Sequence, residues 1–440
     1  MAEQRTYGFI GLGAMGGPMA ENIAKAGLPV HVYDAAGTKE RAHEKAIAHD
    51  SLAGVLANAD TVFLSLPDGP ICTAVAKEIV QVNDRKTSVV IDLSTIGTAA
   101  AQEIDGILKD AKITYMDAPV SGGRRGAINA TIGQLTDGRG GALPLPSMIG
   151  TMSELRPEQV VLYTSTGGNR DLRRLWSERL ARQGCGEISL PVVTQGLTHG
   201  LSLIADLFSD PETDVLLPNP GWGNYTHIFG TRRGARIRPY RSVSMKGLDL
   251  DSIDEALSEA RPGAVLVLNF PSNPIGYSPT REEAEALLNR IRQHPHPLVV
   301  ITDDAYQGMV WEDDLVHDSL FSALRESIPP HILPIKIDGA TKELFFFGGR
   351  VGFVTYGCAG RTAEVLEEKT VALVRSTISS TATPSQNLVR KALESPELPE
   401  EISAIRSTIR ARYDAMKTAL STTDIRTYPF NSGFFVLIPV

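Results

Sequence analysis

Cysteine is scarce in this chain. Cys72, Cys185 and Cys358 are the only three in 440 residues, with no C-x-x-C pair and no histidines clustered beside them. That excludes a disulfide framework and a cysteine-type zinc site, and it fits a reducing cytoplasm. Long hydrophobic runs are missing too. AVLVL at 264–268 is typical of the longest, whereas a membrane helix needs about 20 apolar residues. The opening MAEQRTYGFIGLG lacks a basic segment followed by an apolar core, so no secretory signal is read there. Positive charge is in deficit: 43 Lys and Arg stand against 51 Asp and Glu, leaving −8. A nucleic-acid or membrane-surface role would favour the opposite sign. The one basic cluster, RRGARIRPYR at 232–241, reads as a solvated face. With 42% hydrophobic residues and no repeat or low-complexity tract, the chain has the material for two or three packed α/β domains.

The N-terminal pattern is strand, glycine turn, helix, strand, acid. YGFIG (7–11) leads into AMGGPMAENIAKAG, and LPVHVYD ends at Asp34. Gly11, Gly13 and Gly16 form G-x-G-x-x-G, with the acid about 20 residues on, as a dinucleotide fingerprint requires. Gly11 would allow the tight turn, Gly13 the approach of a pyrophosphate to a helix N-terminus, and Gly16 close helix packing. Asp34 would accept from ribose hydroxyls and repel a 2′-phosphate, favouring NAD over NADP. TVFLSLP, SVVIDLS and ITYMDAP follow at strand–helix rhythm, which predicts a parallel, doubly wound sheet.

GFIGLGAMGGPMAENIAKAG, FLSLPD, IDLST and DAPVSGG occur in order and resemble the β-hydroxyacid dehydrogenases of the 3-hydroxyisobutyrate type over about residues 6–127. The resemblance implies NAD(P), with Ser94 and Thr95 near the nicotinamide and Ser121, Gly122 and Gly123 near a substrate carboxylate. Two departures stand out. Ile96 and Gly97 follow the Ser-Thr pair where proline is usual, and neither the family's catalytic lysine motif nor its all-helical C-terminal domain follows. Without that lysine a developing alkoxide has no proton donor.

Beyond about Ala127 a different pattern takes over: NPGWGNY (219–225), NFPSNPIG (269–276), VVITDDAYQG (299–308) and DGATKELFFFGGRVGF (338–353). Lys342 precedes a Phe run and lies eight residues before Arg350. Asp303 ends an apolar strand. Asn273 is a rigid amide in a proline-flanked turn, Tyr306 lies three residues past Asp303, and Trp222 sits in a Gly/Pro loop. A pyridoxal phosphate site needs these groups: an amine for the aldehyde, a carboxylate for the ring nitrogen, donors for the ring oxygen, a flat partner and cations for the phosphate. Each residue taken alone has an ordinary reading, a surface lysine or a solvated turn; the ordered set argues otherwise.

These motifs resemble the class I aminotransferases of the aspartate and aromatic type, with pyridoxal phosphate fold type I, over about residues 128–440. The resemblance implies an α/β/α large domain at about 166–369, with small-domain pieces at 128–165 and about 370–440. It implies Lys342 as Schiff-base lysine, Arg350 as phosphate arginine, Asp303 as pyridinium partner, and Tyr306 and Asn273 as donors to the ring oxygen. Trp222 would stack on the ring. Thr198, His199 and Gly200 would form the phosphate cup, with the backbone N–H of His199 mattering more than its ring. Tyr163 would reach the phosphate of a neighbouring subunit in a homodimer, and Gly133 would lie beside the substrate, an amino acid or 2-oxo acid. Asp304 is expected to be structural or to support Asp303 from behind. Gly339 stands where many members carry a phosphate-binding serine, Phe345 is bulkier than usual, and the cup reads T-H-G where S-G-T is commoner. No residue matches the arginine that clamps the substrate carboxylate, so a truncated small domain is expected. The leading expectation is a transaminase joined to a partial nucleotide-binding domain. The alternatives are an NAD(P)-dependent oxidoreductase or nucleotide-binding module, and an inactive fusion.

Overall fold

The computed structural model describes residues 6–117, 143–423 and 425–438, which separate into two compact units, one through Leu143 together with the residues from Phe435 on, and one over Pro144–Phe434. Ser121, Gly122, Gly123 and Gly133 lie outside the described residues, as does the expected seam near residue 127.

In the first unit, short β-rich runs become strands β1 (Tyr7–Ile10), β2 (Val30–Tyr33), β3 (Ile47–Ala48), β4 (Thr61–Leu64), β5 (Val89–Asp92) and β6 (Thr114–Asp117). They form a six-stranded sheet ordered β3-β2-β1-β4-β5-β6 with every pairing parallel. Helices α1 (Gly16–Lys25), α2 (Leu52–Asn58), α3 (Gly69–Gln81) and α4 (Thr98–Asp110) make the crossovers. Two apolar clusters pack around the sheet. One joins Val62, Leu64 and Val90 to Val55, Ile79 and Ile104; the other joins Phe9, Val30 and Val32 to Met19 and Ala24. The strand order reverses beside β1, so a crevice opens at the carboxyl ends of β1 and β4. The glycine turn sits there. Gly11 has φ of +93°, and a Cβ on Gly16 would lie 1.9 Å from the Gly11 carbonyl oxygen.

The second unit holds a seven-stranded mixed sheet ordered β7-β15-β14-β13-β12-β8-β9. Its strands are β7 (Val192–Thr194), β8 (Asp214–Pro218), β9 (Arg236–Tyr240), β12 (Ala264–Leu268), β13 (Leu298–Asp303), β14 (Ile332–Gly339) and β15 (Gly352–Tyr356), while β10 (Val243–Ser244) and β11 (Gly247–Leu248) form a small separate hairpin. Only β15 runs against its neighbours, antiparallel to both β14 and β7. AVLVL of β12 is buried throughout, as expected of a parallel strand covered on both faces. Helix α5 (Arg170–Arg182) lays Trp176 flat on Phe353 of β15, with centroids 4.1 Å apart. Helix α6 (Leu197–Phe208) buries Leu201, Leu203 and Ile204. The expected α/β architecture, a Rossmann-like parallel sheet followed by a second α/β domain, is the one observed, and the second sheet is mixed. Among the described residues no helix is long and apolar enough to cross a membrane.

The tight Gly16 contact yields a test. Gly16→Ala should destabilise the α1–β1 packing by about 1–3 kcal/mol. Hydrogen exchange across residues 7–33 would then quicken; unchanged exchange would contradict the contact.

Candidate active site

Four parallel strands of the second unit release their chains at one edge. The loops that follow line a cavity of about 260 Å³, which includes Thr198, Trp222, Tyr225, Asn273, Asp303, Tyr306, Lys342 and Arg350. Six residues that sequence singled out from scattered loops thus meet around it together with Thr198, as expected where ligands bind at strand carboxyl ends.

Asp303, the last residue of β13, forms the floor. It is 4% exposed, and its Oδ2 accepts a 2.5 Å hydrogen bond from the Tyr225 hydroxyl. Burial pushes its proton affinity up, while the Tyr225 bond and Lys342 pull it down. A buried carboxylate of this kind suits a cationic ring nitrogen. Next to it, Asn269 Nδ2 donates to the Asp303 carbonyl and Asn269 Oδ1 accepts from the Asn273 amide. Asn273 Nδ2 donates to the Tyr306 hydroxyl at 3.0 Å, which joins the two expected ring-oxygen donors in one pair. Trp222 is half-buried and meets Tyr225 edge-on at 5.3 Å.

Lys342 lies in the short turn after β14, its Nζ 5.2 Å from the Tyr306 ring centroid. No carboxylate forms an ion pair with it among the described residues. Burial lowers its proton affinity first, the attraction of Asp303 opposes this, and the repulsion of Arg350 adds to it. The amine is therefore neutral at a lower pH than an ordinary lysine. Arg350, in left-handed conformation at φ 54°, passes against Gly196; a Cβ there would lie 2.6 Å from Arg350 Nη2. Gly196 caps α6, so a guanidinium stands beside the amide-rich start of a 12-residue helix. Together these favour a phosphate.

The cup residues divide. Thr198 lines the cavity, whereas His199 and Gly200 do not. The His199 ring accepts from the Gln195 amide at 3.1 Å and meets Thr377 Oγ1 at 3.1 Å, so it fastens the start of α6 to helix Gly360–Thr377. Burial lowers its proton affinity, which keeps the ring neutral in that role. Gly200 is buried against Val354 of β15. Tyr163 is 91% exposed, away from its own chain's cavity.

Asp304 turns the other way. Its carboxylate bonds Lys336 Nζ and accepts from Ser319 Oγ at 2.5 Å. Sequence reasoning missed Tyr225, Asn269 and Lys336. Tyr225 was within reach, because an aromatic three residues past Trp222 on one turn shares its side.

In the first unit, Asp34 Oδ2 accepts from the Leu12 amide at 2.6 Å and Oδ1 from the Ala36 amide at 2.8 Å, so the acid braces the glycine turn. Nothing lies within 4 Å of a Cβ placed on Gly13, which leaves that backbone open. Ser94 is 4% exposed; its Oγ accepts from the Leu66 amide, and its own amide donates to Asp92. Thr95 is exposed.

Comparison with known proteins bears on both units. The family Aminotransferase class I and II matches residues 125–440, and the NAD binding domain of 6-phosphogluconate dehydrogenase matches residues 6–149. The chain belongs to the class I and II aminotransferase family, and its N-terminal part is a 6-phosphogluconate dehydrogenase-type NAD-binding domain similar to 3-hydroxyisobutyrate dehydrogenases. Cytoplasmic aspartate aminotransferase of Saccharomyces cerevisiae is 28% identical over 234 residues, 51% of this chain and 55% of that protein. A probable 3-hydroxyisobutyrate dehydrogenase of Mycobacterium tuberculosis is 35% identical over 136 residues, 30% of this chain and 46% of that one. The chain thus spans about half the length of the curated relatives it matches. An aminotransferase from Anaerococcus prevotii shares the fold with a TM-score of 0.63 at 20% identity, covering 70% of this chain and 78% of its own.

The lowered proton affinity of Lys342 favours its reaction with an aldehyde. Incubation with pyridoxal phosphate near pH 8, then borohydride, should label Lys342 ahead of the other lysines in peptide mass spectra. Labelling spread evenly over surface lysines would refute this.

Proposed function

We propose that the chain is a pyridoxal-phosphate-dependent aminotransferase that moves an amino group between an amino acid and a 2-oxo acid. The observation that carries the reading is the convergence of Lys342, Asp303 and Arg350 on one cavity. When bound, pyridoxal phosphate supplies an aldehyde and an electron-withdrawing ring. Arg350 and the start of α6 would neutralise the phosphate, with Thr198 beside them. Asp303, held by Tyr225, would keep a proton on the ring nitrogen. Tyr306 and Asn273 would donate to the ring oxygen, and Trp222 would cover the ring face. Lys342 Nζ would hold the aldehyde carbon and, once a substrate amine takes its place there, the freed amine would carry the proton from the substrate Cα to that cofactor carbon.

Further parts of this reading concern assembly and place. Val160, Val161, Leu162 and Tyr163 expose an apolar run, with Val161 78% exposed. That favours a homodimer in which Tyr163 approaches the partner's phosphate site. The similar yeast protein carries the description cytoplasmic, and cytoplasmic action suits this one. An N-terminal domain at residues 1–127, ahead of an aminotransferase region at 128–440, would bind NAD(P) as a module. The open Gly13 backbone at the start of α1 supports this.

Two titrations test the reading. Pyridoxal phosphate should give the purified protein a visible absorption band that shifts when an amino acid is added, and Lys342→Ala should abolish it. A band surviving in Lys342→Ala would overturn the assigned lysine. NADH fluorescence should rise on binding, and Gly13→Val should remove the rise; an unaffected rise would place the nucleotide elsewhere.

A further inference from the structure

Thr341 carries a buried hydroxyl that bonds to nothing. Its Oγ1 has no hydrogen-bond partner, the residue is 4% exposed, and it lines the same cavity as Lys342, Thr198 and Arg350. A hydroxyl left unpaired inside a protein is unfavourable, so such groups usually mark a place that a ligand or water completes. The neighbouring position that could offer a hydroxyl, residue 339, cannot do so. Gly339 pairs with Gly352 across β14 and β15. A Cβ on Gly339 would lie 2.5 Å from the Val351 carbonyl oxygen and 2.7 Å from Gly352 Cα, both backbone atoms of the facing chain. A serine at 339 would require β15 to move.

The partners of the other polar groups indicate which end of the cavity Thr341 serves. Asp303, Tyr225, Asn273, Asn269 and Tyr306 are linked to one another by hydrogen bonds. Arg350, by contrast, makes one hydrogen bond among the described residues, from Nη1 to the Phe347 carbonyl at 3.3 Å. It has no ion pair with a carboxylate among the described residues. Outside that network the cavity thus offers, beside the Lys342 amine, a guanidinium and an unpartnered hydroxyl, and these two fit an anion with several acceptor oxygens.

We propose that Thr341 Oγ1 donates a hydrogen bond to the cofactor's phosphate, completing an anion site with Arg350 and the start of α6 in place of the side chain that position 339 cannot hold. This rests on the cofactor reading above. It extends that reading to a residue that has no role in it so far.

The test compares pyridoxal phosphate with pyridoxal, which has the same aldehyde and no phosphate. Dissociation constants come from absorbance titrations of wild type, Thr341→Val and Thr341→Ser. Thr341→Val keeps the shape and removes the donor. It should weaken pyridoxal phosphate about tenfold or more, as expected for a bond to a charged group, and leave pyridoxal within about twofold. Thr341→Ser should bind like wild type. The cofactor-free Thr341→Val protein should melt no lower than wild type, because an unpaired buried hydroxyl has been removed, yet gain less in melting temperature when pyridoxal phosphate is added. If wild type binds pyridoxal phosphate and Thr341→Val binds it equally well, or loses both ligands alike, the phosphate role is overturned while the cofactor reading stands. If wild type takes up neither ligand, the cofactor reading fails and this inference falls with it.

Discussion

A lysine ammonium sealed inside a sheet must find its counter-charge there, and the second unit is organised around that requirement. Lys336 of β14 has no exposed surface. Its Nζ bonds Asp304 and lies 3.6 Å from Asp338. Burial alone would lower its proton affinity, but the two carboxylates more than reverse this, so the cation persists. Asp338 also accepts from Trp176 Nε1, and Trp176 lies flat on Phe353. Burial raises the Asp338 pKa to about 7, with Lys336 opposing the rise. Removing one member would strand a charge, which costs several kcal/mol in such surroundings. The network ties β13, β14, β15 and α5 together. It also holds Asp304 on the far side of the chain, so that its neighbour Asp303 is left to face the cavity.

From that fixed point the site follows by topology. Parallel strands β8, β12, β13 and β14 all end at the same edge. Each delivers one part: Trp222 and Tyr225 after β8, Asn269 and Asn273 after β12, Asp303 and Tyr306 at the end of β13, Lys342 after β14. The sheet therefore brings together residues more than a hundred positions apart without any of the loops being long. The first unit repeats the logic on a smaller scale, with an acid at the end of β2 bonded to the turn after β1.

Much of this was legible in the sequence, for identifiable reasons. Strands β1, β4 and β5 of the first sheet announce themselves as short, mostly apolar runs, because both faces are largely covered. The edge strand β3, two exposed residues, has no such signature and was not anticipated. The cofactor-type residues stood out because their spacing and order are unusual. Ser94, placed near a nicotinamide by resemblance, is buried, and its hydroxyl closes the loop after β4. Lys336 escaped because an isolated lysine suggests a surface. Its i, i+2 relation to Asp338 within ILPIKIDG was the available sign, since alternate strand residues share a face. Cup residues His199 and Gly200 differ from Thr198 only in which side of a helix start they occupy, and a three-letter motif does not specify that.

The reversed direction of β15 gives the site an unequal distribution of risk. Lys342 and Arg350 ride on one short connection, between the end of β14 at Gly339 and the start of β15 at Gly352. The loops after β12 and β13 can change length at the expense of one feature each. In this connection an insertion or deletion of one residue would displace Lys342 and Arg350 together. For anyone redesigning the protein, the segment 340–351 behaves as a single indivisible part, to be exchanged whole or left alone.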